Sequence, residues 1–346
     1  MHTIDLRSDT VTKPTPAMLD AMKQARVGDD VYGEDPEVNR LQEMAAKLFG
    51  MEAGLFCPSG TMTNQIAIKM HTQPGDELIC ADNAHVFKYE GGGIASNSGV
   101  QARVIQGDRG RINAFQVEEM INGDDVHFPR TSLVCLENTS NRGGGSIYDW
   151  ESMQAIRNVC DAHQLKLHLD GARIFNALVE GNYTPLQLGK LFDSISICLS
   201  KGLGAPVGSV LLGTKTMIQK ARRIRKVFGG GMRQAGYLAA AGSYALTHYI
   251  DRLKIDHDHA KRIGKVLQDL PGVAEVIPVE TNIIIFRLSS AAITDSFKQY
   301  LESNSILCGR VAPDALRFVF HLDIHAEMVN QLESILNAST AAQSTG

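Results

Sequence analysis

Ser196-Ile-Cys-Leu-Ser-Lys-Gly-Leu-Gly-Ala-Pro-Val-Gly-Ser209 reads as an apolar strand that ends on a lysine set among small residues. Upstream, Leu165-Lys-Leu-His-Leu-Asp-Gly-Ala-Arg173 follows the same plan, an apolar strand closed by an acid and a glycine. Further β-rich runs fall at 55–57, 77–81, 103–106, 132–136 and 208–212, with helical patterns between them. A chain that alternates strand and helix in this way builds a mostly parallel sheet covered by helices, so the leading expectation is a doubly wound α/β core. Two of the covering helices are expected at 38–49, stopping at Gly50, and at 150–163.

Beyond about residue 247 the pattern changes. A long charged helix is followed by expected strands at 282–287 and 316–320 around a helix at 293–303, which predicts a smaller C-terminal α+β domain. The expected division is therefore 1–246 and 247–346. No Pro- or Ser-rich linker marks it, so an extensive interface between the two is expected. The polar tail from 338 to 346 is expected to be mobile.

With 34 basic and 38 acidic residues the chain has no general field to attract nucleic acid or anionic lipid, and neither partner is expected. The cysteines, Cys57, Cys80, Cys135, Cys160, Cys198 and Cys308, lie in or beside apolar runs without a CxxC pair or a Cys/His cluster. They read as buried thiols in a reducing compartment, and no metal site is expected. Asp5, Arg7 and Asp9 stand where a signal peptide needs an apolar core, and no run is long enough to span a bilayer. A cytoplasmic location is expected.

The chemistry is carried by strand ends. In an open α/β sheet the carboxyl edge is where ligands bind, and a lysine held there among glycines can form a Schiff base with an aldehyde. Lys201 is such a lysine, although a solvated lysine at a strand terminus is the plainer account of that run alone. Gly202 and Gly204 also invite comparison with a dinucleotide fingerprint. The third glycine is misplaced, with Pro206 two residues after Gly204 and Gly208 four after it, so the helix start of that fingerprint is absent and the reading is rejected. Asp170 closes its strand at the same edge; a carboxylate there either caps the next helix or holds a pyridinium nitrogen protonated. Pro58-Ser-Gly-Thr61 precedes a helix, where Gly60 and Thr61 offer backbone N–H groups for a phosphate, or simply a helix cap.

Other ordered motifs accompany these three. They are Leu6-Arg-Ser-Asp-Thr-Val-Thr12, Gly28-Asp-Asp-Val-Tyr-Gly-Glu-Asp-Pro36, Ala84-His85 with Tyr89-Glu-Gly-Gly-Gly93, Leu136-Glu-Asn-Thr139, Gly229-Gly-Gly-Met-Arg-Gln234 and Arg317-Phe-Val-Phe-His321. Together, over nearly the whole length, the chain resembles the threonine aldolase and β-eliminating lyase family of fold type I pyridoxal 5'-phosphate enzymes.

That resemblance implies Lys201 as the Schiff-base lysine, Asp170 on the ring nitrogen, His85 stacked on the ring, and Gly60, Thr61 and Ser200 around the cofactor. It implies Ser8, Arg173 and Arg317 on the substrate carboxylate, with Arg173 also near the cofactor, and an active site to which the N-terminal segment contributes. Arg233 would reach the phosphate of a neighbouring subunit, which implies a homodimer, commonly assembled into a homotetramer. Two positions depart from the family pattern. Ser140 follows the Glu-Asn-Thr triplet where a histidine is frequent, and Phe320 replaces the usual threonine before His321.

The implied reaction is aldol cleavage of L-threonine or L-allo-threonine to glycine and acetaldehyde. His85 and His127 are the candidate bases for the β-hydroxyl, His85 ranked first. His168 reads as a core residue, and His71, His163, His257 and His259 read as helix-surface residues. The alternatives are β-elimination or racemisation of another small amino acid, and a binding module that keeps the fold without the cofactor.

Overall fold

A computed structural model describes residues 3–343 of the chain. Its strands are β1 (Ile4–Leu6), β2 (Ala53–Cys57), β3 (Glu77–Ala81), β4 (Gln101–Ile105), β5 (Thr131–Glu137), β6 (Lys166–Gly171), β7 (Ser194–Cys198), β8 (Ser209–Gly213), β9 (Val273–Val276), β10 (Ile283–Leu288), β11 (Ile306–Ala312) and β12 (Ala315–Val319). Seven of them form one sheet in the order β2-β8-β7-β6-β5-β3-β4. Every neighbouring pair is parallel except those involving β8, which runs antiparallel to β2 and β7.

Helices cover both faces, and β3, β5, β7 and β8 are buried at every residue. This is why their sequences read as continuous apolar runs with no alternation. β4 is the exception because it lies at the sheet edge, where Gln101 and Val104 are exposed. The expected α/β core is thus the observed one. Its covering helices are closed by local chemistry: Pro36–Phe49 starts with the Asp35 carboxylate accepting from the N–H groups of Glu37 and Val38. The same helix stops at Gly50, whose φ of 63° is left-handed.

The other five strands form a second sheet, β1-β11-β12-β10-β9. Its own core of Ile4, Leu6, Phe286, Phe318 and Phe320 packs beneath the helices Leu253–Gln268, Ala291–Ser303 and Ala326–Gln343. Strands β10 and β12 and the helix between them match the expected elements. β1, β9 and β11 have no counterpart in the sequence reading: β1 is three residues long with Asp5 at its centre, and β11 is interrupted by Gly309 and Arg310. Phe320 belongs to this core, with its ring edge-on to His259 at 6.4 Å. The tail expected to be mobile begins inside the helix Ala326–Gln343; 344–346 lie outside the described residues.

All six cysteines are buried and free. Among the described residues no helix is long and apolar enough to cross a membrane.

Candidate active site

The parallel strands β6 and β7 end side by side, with Asp170 in register with Ser196. Lys201 follows β7 by three residues, so lysine and aspartate are delivered to one sheet edge by the pairing of the strands that carry them. Asp170 is 2% exposed. Its oxygens accept from the Asn64 amide at 2.9 Å and from the backbone N–H of Ala172 at 3.1 Å. Among the described residues neither Asp170 nor Lys201 is engaged in an ion pair, although the charge of Lys201 acts on both Asp9 and His85.

His85 opens a short helix just beyond β3. Its Nδ1 donates to Glu90 Oε1 at 3.0 Å, and its backbone N–H donates to Glu137 Oε2 at 2.8 Å. Glu90 is buried and also accepts from Asn64 at 2.9 Å and Gln65 at 2.7 Å. Burial works against a charged His85, but the bond to Glu90 and the field of Asp170 outweigh it and raise its pKa. Glu137 moves upward too, through burial and the nearby charge of Asp170. The ligand atoms of His85, Glu90 and Asp170 lie within 4.8 Å of one another, a compact group of one imidazole and two carboxylates.

The helix Gly60–His71 points its N-terminus at the same edge, because it follows β2, whose Cys57 is in register with Ser209 of β8. Ser59 caps it by accepting from the N–H of Met62. Gly60 has no room for a side chain: a Cβ there would lie 2.6 Å from Cys198 Sγ. The close approach leaves bare backbone at the helix mouth beside Thr61, the cradle that a phosphate needs.

A wall of arginines closes the other side. Arg173 is buried and grips Asp9 with two parallel bonds of 2.7 Å, and its field holds the buried Asp9 carboxyl down at about 2 despite the desolvation that opposes this. Arg317 on β12 donates to Asn141 Oδ1 at 2.8 Å and to the Arg7 carbonyl at 3.0 Å, while its Nε is buried without a partner. Burial and the field of Arg173 push its pKa down to about 10. Arg142 lies 4.7 Å over the Tyr89 ring, also with a buried, unpartnered Nε. Tyr89 in turn tilts against His85 at 5.7 Å. Ser8 is half-buried and caps the short helix Asp9–Val11.

Two of the expected site residues stay apart from this cluster. His127 leaves 82% of its side chain exposed and is tied to Asp125. Arg233 is half exposed and donates to Asp29 at 2.9 Å. Ser140 is buried and accepts from the N–H of Gly143, closing a turn. His168 is buried with both nitrogens bonded, as read. The surface reading fails for His71, His257 and His259: His71 bonds inward to Ser194, His257 is buried between Glu180 and Asn176, and His259 is half-buried. A period of 3.6 residues cannot tell a solvent face from one lying against another element.

The sequence reading gave no role to Asp9, Asn64, Glu90 or Asn141, which fix the orientations of the residues it did single out. The available signal was Thr63-Asn64-Gln65, three polar residues in mid-helix, all buried here.

Among the described residues the side chains suit pyridoxal phosphate: a lysine free of ion pairs, a buried carboxylate without an ion-pair partner, a bare helix mouth, and arginines short of acceptors. The family model described as beta-eliminating lyase matches residues 5–291. The chain is 42% identical to low-specificity L-threonine aldolase 1 of Arabidopsis thaliana over 331 residues, covering 94% of this chain and 92% of that one. It is likewise 42% identical to the low specificity L-threonine aldolase of Escherichia coli strain K12, covering 95% and 97%. Among solved structures, a threonine aldolase of Leishmania major superposes with a TM-score of 0.86 at 20% identity, over 97% of this chain and 99% of that one. Serine palmitoyltransferase of Sphingomonas wittichii gives 0.78 at 17% identity, over 99% and 88%, so the fold reaches beyond aldolases. The chain belongs to the beta-eliminating lyase family, in the group that holds the low-specificity L-threonine aldolases.

Proposed function

We propose that the chain is a carbon–carbon lyase that cleaves L-threonine, L-allo-threonine and related β-hydroxy-α-amino acids to glycine and an aldehyde, acetaldehyde in the case of threonine. The observation that carries this is the edge shared by Lys201 and Asp170: among the described residues, a lysine free of ion pairs beside a buried carboxylate that has no ion-pair partner. The names of the 42% identical relatives support the substrate. Pyridoxal phosphate, when bound, supplies an electron sink for the charge left as Cα–Cβ breaks.

The chain's residues do the rest. Lys201 holds the cofactor aldehyde, Asp170 keeps a proton on the ring nitrogen, and Gly60, Thr61 and Ser200 surround the phosphate. Arg317 and Ser8 take the substrate carboxylate. Arg173 lends one edge of its guanidinium, since Asp9 occupies the other. Because Nδ1 of His85 donates to Glu90, its Nε2 carries the lone pair once the ring is neutral and is the atom that would serve the β-hydroxyl as base. His127 takes no part within a single chain. Arg233, exposed on the surface, reaches the phosphate of a neighbouring subunit in a homodimer or homotetramer. The divisions 1–246 and 247–346 act as the cofactor unit and its cap, except that β1 of the first joins the sheet of the second, in a cytoplasmic enzyme.

The test is the visible spectrum of the purified protein and of Lys201→Ala, with acetaldehyde assayed after addition of L-threonine. A cofactor band and acetaldehyde from the parent, both absent or altered in the variant, are expected. A band without acetaldehyde would shift the reading to elimination or racemisation. No band after added cofactor would overturn it.

A further inference from the structure

The bonds around Asn64 admit one direction only. Ionised carboxylates accept and never donate, so the Asn64 amide must turn its NH2 toward Asp170 Oδ2 and Glu90 Oε1, both at 2.9 Å. Asn64 Oδ1 is then left facing His168 Nε2 at 3.1 Å, which must therefore be the protonated nitrogen of that ring. Burial holds His168 neutral, with its pKa pushed down to about 3, so its Nδ1 is bare and accepts from the Ser194 hydroxyl at 2.8 Å. Having given its proton, Ser194 Oγ accepts from His71 Nε2 at 2.8 Å.

Asp170, Glu90, Asn64, His168, Ser194 and His71 thus form a one-way chain of six residues. Asn64 and His71 stand two turns apart on the helix Gly60–His71, and they bracket side chains from β6 and β7. Reversing any link would press the Asn64 carbonyl against two carboxylates. Such a chain is stronger than its separate bonds, and it is buried except at the His71 end.

We propose that Asn64 is a positioning residue of the reaction: its amide clamps the ring-nitrogen carboxylate, Asp170, and the His85-orienting carboxylate, Glu90, in one geometry, while His168, Ser194 and His71 keep the amide from turning over. The inference rests on the roles assigned to Asp170 and His85 above. Its consequence is a coupling between the cofactor ring and the base. The charged and titratable groups around His85 are Glu90, Asp170, Lys201, Glu137 and Tyr89, and Asn64 bonds to the first two. Without its amide, Glu90 becomes a stronger acceptor for the His85 proton, and the two carboxylates face each other with no donor between them.

The experiment compares Asn64→Ala, Ser194→Ala, Asp170→Asn and the control Ile68→Val, which trims a buried side chain on the same helix. Three quantities are read: the acidic limb of the pH profile of kcat/KM, the pH titration of the visible cofactor band, and the Kd for pyridoxal phosphate added back to cofactor-free protein. Asn64→Ala should move the acidic limb and the band titration upward by about one pH unit and weaken the Kd about tenfold. Ser194→Ala should move all three the same way by less, and it carries the test alone if Asn64→Ala does not fold. Ile68→Val should lower the Tm and leave them in place.

If Asp170→Asn disturbs the band and the Kd while Asn64→Ala and Ser194→Ala change only the Tm, the positioning role is overturned and the roles of Asp170 and Lys201 stand. If Asp170→Asn also leaves band and Kd untouched, the underlying site assignment falls and takes this inference with it.

Discussion

Asp9 accepts both prongs of the Arg173 guanidinium at 2.7 Å, whereas Asp170, three residues before that arginine, accepts only from neutral N–H groups. Both carboxylates are buried. The first has recovered its desolvation cost inside the protein and so belongs to the architecture. The second has kept its capacity for a cationic partner, and that is the mark of a receptor. The same contrast separates Arg173 from Arg317, whose Nε is buried without an acceptor.

Exchanging the two aspartates for asparagine is the strongest way to break this comparison. Asp170→Asn should cut activity about 10³-fold, worth about 4 kcal/mol, with little change in the urea unfolding midpoint. Asp9→Asn should instead cost about 3–5 kcal/mol of stability, because it leaves Arg173 buried and uncompensated. Equal losses of stability in the two variants would erase the distinction.

Arg317→Lys tests the contrast at a smaller scale. An ammonium cannot offer two parallel bonds to a carboxylate, so kcat/KM for threonine should fall about 10- to 100-fold, chiefly through KM. An unchanged KM would remove Arg317 from the substrate carboxylate.

The smallest effect lies away from the site. His257, held between Glu180 and Asn176, has its pKa pushed down to about 4 by burial, from an ordinary value near 6.5. The unfolded chain takes up a proton that the folded chain refuses, so this contribution to stability is present above 6.5 and is lost as pH falls toward 4. His257→Gln should flatten the slope of stability against pH in that window by at most about 1.4 kcal/mol per pH unit, read from urea midpoints. A slope identical to the parent's would mean that His257 is not held neutral.

The large sheet was legible because its strands are buried on both faces and so spell themselves as unbroken apolar runs. β1 and β11 were not, since three residues around Asp5 and a run broken by Gly309 and Arg310 become strands only by finding each other. The same holds in the site. Lys201 and Asp170 announce themselves at strand ends, where local pattern and chemistry coincide. Asn64, Glu90 and Asp9 acquire meaning only from partners 106, 25 and 164 positions away, namely Asp170, Gln65 and Arg173. The histidines show the limit from the other side: position on a helix was readable, and what lay against that helix was not.

The parallel pairing of Ile4 with Ile306 also sets a timetable for synthesis. The strand that leads into Ser8 and Asp9 has no docking edge until the ribosome has added about 300 further residues, roughly 15–60 s at ordinary elongation rates. Throughout that interval the nascent chain carries Ile4 and Leu6 without their sheet, and Arg173, once made, has an Asp9 that is not yet anchored. Residues 4–9 are thus among the last to reach their native places, and a chain stalled before β11 would hold all seven strands of the large sheet and no complete site.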